Sequence, residues 1–342
     1  RPGAVGQRAA NFAQQNSDLI LILGARLDLG QTGYSHENFA RMAKKIMVDI
    51  DQKEINKMDM TIDIPVCADV KEFIQEIIDQ ESAIISRERS KWWARCREWK
   101  NKYPVILPEY RKEKNGVNTY ALIDALSDEM NEDDLLIPGS SGTCAEITMQ
   151  AFRIKQGMRI FNSPGLGAMG FGIPAAIGGC VASGKKRTVC IDGDGSFQMN
   201  IQELETVRRL NLSIKFFILN NSGYASIQAT QRTHFDSHFV GSNESSGLTL
   251  PDSLKIAGAY DIKAVKISGN QELREKVREA MEHEGPVICD VEVTPNQFTA
   301  PRISSAQDES GKMVSKPIED LWPFLDREEF ERNMDVSQDD DK

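Results

Sequence analysis

The chain has 342 residues, of which 40% are hydrophobic and 27% are charged, a composition typical of a globular protein large enough for two packed cores. Its net charge of −10 argues against nucleic-acid and anionic-membrane partners, and no apolar run approaches the roughly 20 residues that a membrane-spanning helix needs. Six scattered cysteines without a CxxC pair favour reduced thiols in the cytoplasm over disulfides or a zinc site.

The first part of the chain alternates between helices and unbroken apolar strands. In chain order, the predicted elements are a helix at 7–16, strands at 18–24, 45–51 and 64–69, and a helix at 70–80. Strands without polar alternation favour a parallel sheet that is covered on both faces. We therefore predict a doubly wound, flavodoxin-like or Rossmann-like α/β domain over residues 1–85, truncated so that only about its last half is present.

Residues 86–117 are charged and aromatic, and they predict a helical linker packed on a surface. A second doubly wound parallel-sheet domain is predicted over residues 118–297, followed by a C-terminal tail over residues 298–342. The predicted elements of the second domain are helices at 118–130, 143–156, 171–183, 200–210 and 271–283 and strands at 135–138, 188–192, 214–219 and 286–293.

Polar residues follow two strands of the second domain at the point where each strand ends. Asp194 lies in the segment DGDGS at 192–196, and Asn221 lies in NNSGY at 220–224. Because ligands of open α/β sheets bind beyond the carboxyl ends of the strands, both residues are expected at one edge. Mg²⁺ prefers oxygen ligands, and a tight glycine turn that opens a helix presents N–H groups to a diphosphate. The pattern predicts a site for a metal-bound diphosphate.

The series GDGS, helix, apolar strand and NN resembles the signature of thiamine-diphosphate enzymes. In that family the motif Asp, the second Asn and a backbone carbonyl two residues later bind Mg²⁺, which implies Asp194, Asn221 and Gly223 here. The turn itself contacts the diphosphate through backbone N–H groups and a hydroxyl. The residues to which the resemblance assigns that contact are Gly193, Gly195 and Ser196.

A second stretch, GLGAMGFGIPAAIG at 165–178, resembles the GLGxMGxGxPAAIGA segment of the acetolactate synthase group. There, the carbonyl at the position of Gly167 accepts a hydrogen bond from the aminopyrimidine. The residue at Met169 lies beneath the cofactor and holds its two rings in a bent form, so that the amino group lies near the thiazolium carbon. The alternative for Met169 is ordinary core packing, because methionine fills irregular gaps well.

Two further groups of residues enter through the same resemblance. Gly139, Ser140 and Ser141 end a strand where the family holds the outer diphosphate oxygens, although a serine-rich helix cap is the alternative. Tyr224 and Gln228 would line the mouth of the substrate pocket with Gln231 and His234. The candidate catalytic residues are Met169, Gln228 and Tyr224. The biosynthetic acetohydroxyacid synthases have a tryptophan near Thr230 that shapes the acceptor pocket, and this chain has none there.

The first domain resembles the central domain of the same group, which holds a structural FAD in acetolactate synthases. The segments DLILILGARLD at 18–28 and VDIDQKEINK at 48–57 carry the resemblance. Many relatives keep this fold without the flavin, so FAD binding and its absence both stay open. The positions that match the flavin-binding residues are Arg26, Asp49, Asp69 and Val70.

The resemblance implies a thiamine-diphosphate enzyme that decarboxylates a 2-oxo acid, pyruvate in the first instance, and forms a carbon–carbon bond. The alternatives are a simple 2-oxo acid decarboxylase, a carboligase for sugar precursors, and a non-catalytic cofactor-binding subunit. The family also needs a glutamate from a pyrimidine-binding domain, supplied across a dimer interface of a homodimer or homotetramer. Since the chain starts at Arg1 without an initiator Met, we expect that it begins inside a larger protein that contains this domain.

Overall fold

The computed structural model of the protein describes residues 1–85, 87–139, 142–163, 165–307 and 313–335. In chain order, the strands are β1 (Leu19–Leu23), β2 (Lys44–Asp49), β3 (Ile64–Cys67), β4 (Leu135–Pro138), β5 (Arg159–Ile160), β6 (Thr188–Gly193), β7 (Ile214–Asn220), β8 (Lys263–Ile267), β9 (Val287–Glu292), β10 (Ser305–Gln307) and β11 (Met313–Ser315). Contacts divide the chain into two compact units.

Helices separate most of these strands, as expected when neighbouring strands run parallel. The α-helices are α1 (Arg8–Gln15), α2 (Leu29–Thr32), α3 (Gln52–Asn56), α4 (Val70–Asp79), α5 (Ser90–Lys102), α6 (Thr119–Glu129), α7 (Gly142–Ala151), α8 (Gly172–Ala182), α9 (Asp194–Phe197), α10 (Leu204–Arg209), α11 (Ala225–His234), α12 (Ser253–Ala259), α13 (Leu273–Glu282) and α14 (Arg327–Met334). Short 3₁₀ segments lie at His36–Asn38, Glu81–Ala83, Pro108–Lys112, Gln198–Glu203 and Glu244–Ser246.

The first unit consists of residues 1–105 and the described residues from 300 onward. Within the described ranges, its main sheet is parallel and has the order β1-β2-β3, and β10 pairs with β11 in an antiparallel ribbon. An apolar cluster packs in this unit, and it contains residues from both ends of the chain. Its buried members are Ile22, Leu27, Phe39, Ala40, Ala43, Met47, Ile55, Met58 and Ile318.

Helices α1, α5 and α14 form a second, aromatic part of the first unit. The ring of Phe12 lies 5.8 Å from that of Trp99, 5.7 Å from that of Tyr103 and 6.5 Å from that of Phe330, measured between centroids. The indole N–H of Trp99 donates to Asn333 Oδ1 at 2.9 Å, which satisfies the polar atom of this fully buried ring. Helix α5 lies inside the predicted linker, and it packs within the first unit.

The second unit, residues 106–299, contains the larger sheet. Six strands in the described ranges run parallel in the order β5-β4-β6-β7-β9-β8. Helices α8, α10 and α12 contribute to the core cluster beneath the strands, while α7 and α13 contact the sheet and also pack on α6. Strands β6, β7 and β9 are buried along nearly their whole length, as their mainly apolar sequences require.

The predicted class, α/β with two parallel sheets, is confirmed by this topology. Two predicted helices are wrong in part. The helix at 143–156 ends at Ala151, where the N–H of Arg153 donates to Ser127 Oγ at 3.2 Å instead of continuing the helix. The helix at 200–210 is α-helical only from Leu204, because Asn200 has φ −134° and ψ 32°, outside the helical range.

The domain boundaries predicted from the sequence, 1–85, 86–117, 118–297 and 298–342, stay a prediction. The chain passes from the first compact unit to the second between residues 105 and 106 and returns between residues 299 and 300. These positions differ from the predicted boundaries. The described residues after 299 return to the first unit, where Asn11 Nδ2 donates to the carbonyl of Ile318.

Candidate active site

The three residues predicted to bind a metal lie close together at the carboxyl edge of the larger sheet. Strands β6 and β7 are neighbours, with Gly193 opposite Leu219, so the turns that follow them meet. Asp194 Oδ2 accepts hydrogen bonds from the backbone N–H groups of Asn221 at 3.2 Å and Gly223 at 3.3 Å. The carboxylate therefore holds the turn that supplies the other two predicted ligands.

The electrostatics of this turn fit a cation. Burial raises the pKa of Asp194 to about 6, even though backbone N–H groups that donate to it act in the opposite direction. The side-chain oxygen of Asn221 is buried and has no hydrogen-bond partner in the described part of the chain. A buried carboxylate and an unpaired amide oxygen are hard oxygen donors, and a divalent cation between them would satisfy both.

Asn220, the first asparagine of the NN pair, is hydrogen-bonded within the protein. Asn220 Nδ2 donates to both carboxylate oxygens of Asp290, at 3.0 and 3.2 Å, and Ser253 Oγ donates to the same carboxylate. These bonds tie the end of β7 to β9 and to the start of α12. Because Asn220 is used within the protein, the second asparagine is the one left with an open oxygen.

The glycine turn contains close approaches that a side chain would prevent. A Cβ on Gly195 would lie 2.3 Å from Cε1 of Tyr224, so the Tyr224 ring packs directly on the turn. The N–H of Gly195 donates to Asp194 Oδ1 at 2.8 Å. Across the same edge, a Cβ on Gly139 would lie 2.6 Å from Asp192 Oδ1. The structure thus brings these predicted cofactor residues to one edge.

The loop between β5 and α8 carries Gly167 and Met169. Gly167 has φ +58°, in the left-handed region, and its N–H donates to the carbonyl of Ser163 at 3.2 Å. Met169 is half-buried. The next residue, Gly170, donates its N–H to Ser196 Oγ at 2.8 Å, which joins this loop to the GDGS segment. The predicted Ser140 and Ser141 lie outside the described residues.

Gln228, predicted to line the substrate pocket, is buried and hydrogen-bonded within the chain. Its Nε2 donates to the carbonyl of Ser242 at 2.9 Å, and its Oε1 accepts from Arg232 at 3.0 Å. The same Ser242 carbonyl accepts from the N–H of Tyr224 at 3.0 Å. Gln228 therefore fixes the 242 region to the start of α11, and its predicted contact with substrate stays a prediction.

A cavity of about 440 Å³ opens beside Asp194, beyond the ends of β7, β8 and β9. Its lining includes acidic side chains and one lysine, Lys266, which pairs with Glu292 at 2.7 Å. Met169 and Tyr224 are not part of its lining, so the cavity shares with the candidate site the carboxylate of Asp194 and not the loop that carries Gly167 and Met169.

Comparisons with known proteins agree with this geometry. The family "Thiamine pyrophosphate enzyme, C-terminal TPP binding domain" matches residues 140–291, and the central domain of the same enzymes matches residues 1–77. The chain belongs to the thiamine pyrophosphate enzymes. The resemblance stated from the motifs is thereby confirmed, and the matched binding domain supports thiamine diphosphate as the cofactor.

The curated relatives of this thiamine pyrophosphate enzyme chain include acetolactate synthases. It is 32% identical over 310 residues to acetolactate synthase 3, chloroplastic, of Brassica napus, covering 89% of this chain and 47% of the relative. It is 30% identical over 312 residues to the acetolactate synthase large subunit of Cyanidium caldarium, covering 90% of this chain and 52% of the relative. The chain spans about half the length of the curated relatives it matches.

The four residues that match flavin-binding positions lie after β1, β2 and β3, at the carboxyl edge of the smaller sheet. Each polar member has a partner within the protein. Arg26 pairs with Glu54 at 3.1 Å, Asp49 Oδ1 accepts from the N–H of Asp51 at 3.0 Å, and Asp69 caps α4, which begins at Val70. The edge has the expected position for a nucleotide, and FAD binding stays a prediction.

The sequence interpretation missed Asn200, whose Nδ2 donates to the carbonyl of Gly170 at 2.7 Å in the loop that carries Gly167 and Met169. The signal was available, since an asparagine inside a predicted helix is unfavourable and tends to bond to nearby backbone instead.

In the described ranges, none of the helices combines the length and the apolar character that crossing a membrane requires.

Proposed function

We propose that this chain forms the metal- and diphosphate-binding part of an acetolactate synthase-like enzyme. The whole enzyme would decarboxylate a 2-oxo acid, pyruvate in the first instance, and join the two-carbon product to an acceptor carbonyl. The observation that carries the proposal is the contact between the Asp194 turn and the turn of Asn221 and Gly223. The carboxylate there is buried, and the Asn221 amide oxygen has no partner among the described residues.

Bound thiamine diphosphate would supply the carbon nucleophile and the electron sink of the reaction, while the protein supplies binding and orientation. In the proposed site, Asp194 and Asn221 hold Mg²⁺ through side-chain oxygens, and Gly223 holds it through its carbonyl. Tyr224 covers the glycine turn and excludes water from it. Met169 supports the ring part of the cofactor from the loop joined to Ser196.

The proposed site is completed by residues from outside this chain. A pyrimidine-binding domain, in the same protein or in a partner subunit, would supply the glutamate that activates the cofactor across the interface of a homodimer or homotetramer. FAD in the central domain and a cytoplasmic location are part of the same proposal. Flavin absorbance of the complete protein, measured after release by heat, tests the FAD assignment.

Calorimetric titration of the chain with thiamine diphosphate, with and without Mg²⁺, tests the site. We expect Mg²⁺-dependent binding that Asp194→Ala weakens by at least about tenfold, because the carboxylate both binds the metal and holds the turn. Asp133→Ala, an exposed aspartate paired with Lys186, is the matched control and should bind as the wild type does. Unchanged binding by Asp194→Ala would contradict the site assignment.

Thr230 favours a second candidate, in which the acceptor is absent or different. It lies on α11 with its hydroxyl bonded to the carbonyl of Ser226 at 3.1 Å, where the biosynthetic synthases have a bulky tryptophan. Product analysis of the complete protein with pyruvate alone, with pyruvate plus a second 2-oxo acid, and with sugar aldehydes separates synthase, decarboxylase and other carboligase activities. Absence of turnover with each of these would favour a non-catalytic cofactor-binding subunit.

A further inference from the structure

The loop that carries Gly167 and Met169 is attached to the GDGS segment through the peptide groups of one residue, Gly170. Its N–H donates to Ser196 Oγ at 2.8 Å, and its carbonyl accepts from Asn200 Nδ2 at 2.7 Å. Gly170 is buried and has φ +84°, in the left-handed region. A Cβ there would lie 2.7 Å from Asn200 Nδ2, so the absence of a side chain is what allows this close contact.

Asn200 reaches the loop because the helix is interrupted at this residue. Its φ of −134° is a non-helical kink inside the 3₁₀ segment Gln198–Glu203, and this leaves its side chain free to bond to backbone outside the helix. Gln202 Nε2 donates to Asn200 Oδ1 at 3.2 Å, so both ends of the amide are hydrogen-bonded. An amide that binds at both ends has a fixed orientation, which is what a positioning contact needs.

We propose that Asn200 is a positioning residue for the cofactor loop. The proposal rests on the proposed function, in which Gly167 and Met169 contact the ring part of thiamine diphosphate while Asp194 and its turn hold the diphosphate part. Met169 directly precedes Gly170, whose N–H and carbonyl are both hydrogen-bonded. These two bonds therefore set the direction of the Met169 backbone. Asn200 thus couples the ring-binding loop to the metal-binding segment.

Amide hydrogen exchange of the ligand-free chain tests the contact itself. Asn200→Ala removes the amide, and Asn200→Asp removes its N–H donor at nearly unchanged size. Both should speed exchange in the peptide 165–171 by about threefold to tenfold, the range for losing one hydrogen bond. Glu205→Ala, an exposed residue of α10 paired with Arg208, is the control and should leave that exchange unchanged. Unchanged exchange in both Asn200 variants would overturn the proposal.

Calorimetry with two ligands tests the positioning role. Asn200→Ala should weaken Mg²⁺-dependent binding of thiamine diphosphate by about threefold to tenfold and leave binding of inorganic diphosphate with Mg²⁺ within about twofold. Equal losses for both ligands would show a general effect on the sheet edge and overturn the positioning role. If the wild type binds neither ligand, the proposed function fails and the cofactor role of Asn200 fails with it, while the exchange result still decides the contact.

Discussion

The two parallel sheets of this chain differ in how completely their apolar strands are covered. In the second unit, β6, β7 and β9 are buried almost from end to end, whereas β1 of the first unit leaves Leu19 53% and Leu21 43% exposed. Both kinds of strand have mainly apolar sequences. An apolar strand sequence therefore predicts a strand whose faces must be buried. It does not predict whether the described residues of the same unit bury them.

The carboxyl edges of the two sheets differ as well. Around Arg26, Asp49 and Asp69, each polar side chain binds a group of its own unit. At the edge of the larger sheet, Asp194 is buried with a raised pKa, and the side-chain oxygen of Asn221 is left without a partner in the described residues. Buried polar groups that the protein leaves unsatisfied indicate where a ligand is missing, and they separate the two edges more clearly than position does.

The difference in burial between the two sheets predicts the largest loss of unfolding free energy for a core leucine of the larger sheet. Leu136 of β4 is fully buried, and Leu136→Ala should lower the free energy of unfolding of the second unit by about 3–5 kcal/mol through lost burial and a cavity. Urea unfolding followed by hydrogen exchange of β6 and β7 peptides measures this. Leu136→Ile, which preserves volume, is the control, and a cost below about 1 kcal/mol for the alanine variant would contradict the comparison.

Sequence reasoning predicted the relative positions of Asp194 and Asn221 better than it predicted the packing of distant segments. Asp194 and Asn221 could be placed together because each follows an apolar strand, and parallel strands end at one edge. An asparagine inside a predicted helix signals an interruption at Asn200, but its partner could not be predicted, since Gly170 lies thirty positions away in the chain. Nor could the pairing of Trp99 with Asn333, because local periodicity carries no information on which distant segments pack together.

The burial of β7 in the larger sheet extends to a lysine, and this gives a pH prediction. Lys215 of β7 is fully buried and donates to the carbonyl of His283 at 2.6 Å. Burial, followed by the nearby charge of Arg187, lowers its pKa from 10.5 to about 8. Because the unfolded chain holds the proton more tightly, the second unit is destabilised below pH 8, and this effect disappears as the pH rises to about 10.5.

Unfolding of the second unit at several pH values tests this lysine. The wild type should gain about 1–3 kcal/mol in free energy of unfolding between pH 8 and 10.5 relative to Lys215→Met, which has no titrating group there. Lys255→Met, at an exposed position of α12, is the control and should follow the wild type. Parallel pH profiles for wild type and Lys215→Met would show that the lysine is not desolvated.

The first unit compensates for its partly exposed sheet with the aromatic contacts of α1, α5 and α14. Asn333 accepts from the Trp99 indole at 2.9 Å and donates to the Tyr103 hydroxyl at 2.6 Å. Asn333→Ala leaves the buried indole N–H unpaired and should cost the first unit about 1–3 kcal/mol. Tryptophan fluorescence reports this directly, because all four tryptophans of the chain belong to the first unit.

Two variants distinguish the direct contribution of this network from nonspecific damage to α14. Asn333→Asp keeps an acceptor for the indole and should recover part of the lost free energy of unfolding, whereas Arg332→Ala, on the exposed side of the same helix, should cost less than about 0.5 kcal/mol. If Asn333→Ala unfolds as the wild type does, the hydrogen bonds of Asn333 to Trp99 and Tyr103 do not stabilise the first unit.

The smallest effect is expected on the exposed face of β1. Leu21→Ala should cost the first unit less than about 1 kcal/mol, because much of the side chain is already in water. Ile22→Ala, one residue further on and 4% exposed, should cost about 2–5 kcal/mol. Because the two positions share a strand, the difference between their losses of unfolding free energy measures how well each face of the strand is buried. Tryptophan fluorescence during urea unfolding is the readout. Equal costs would mean that the Leu21 face is covered in solution.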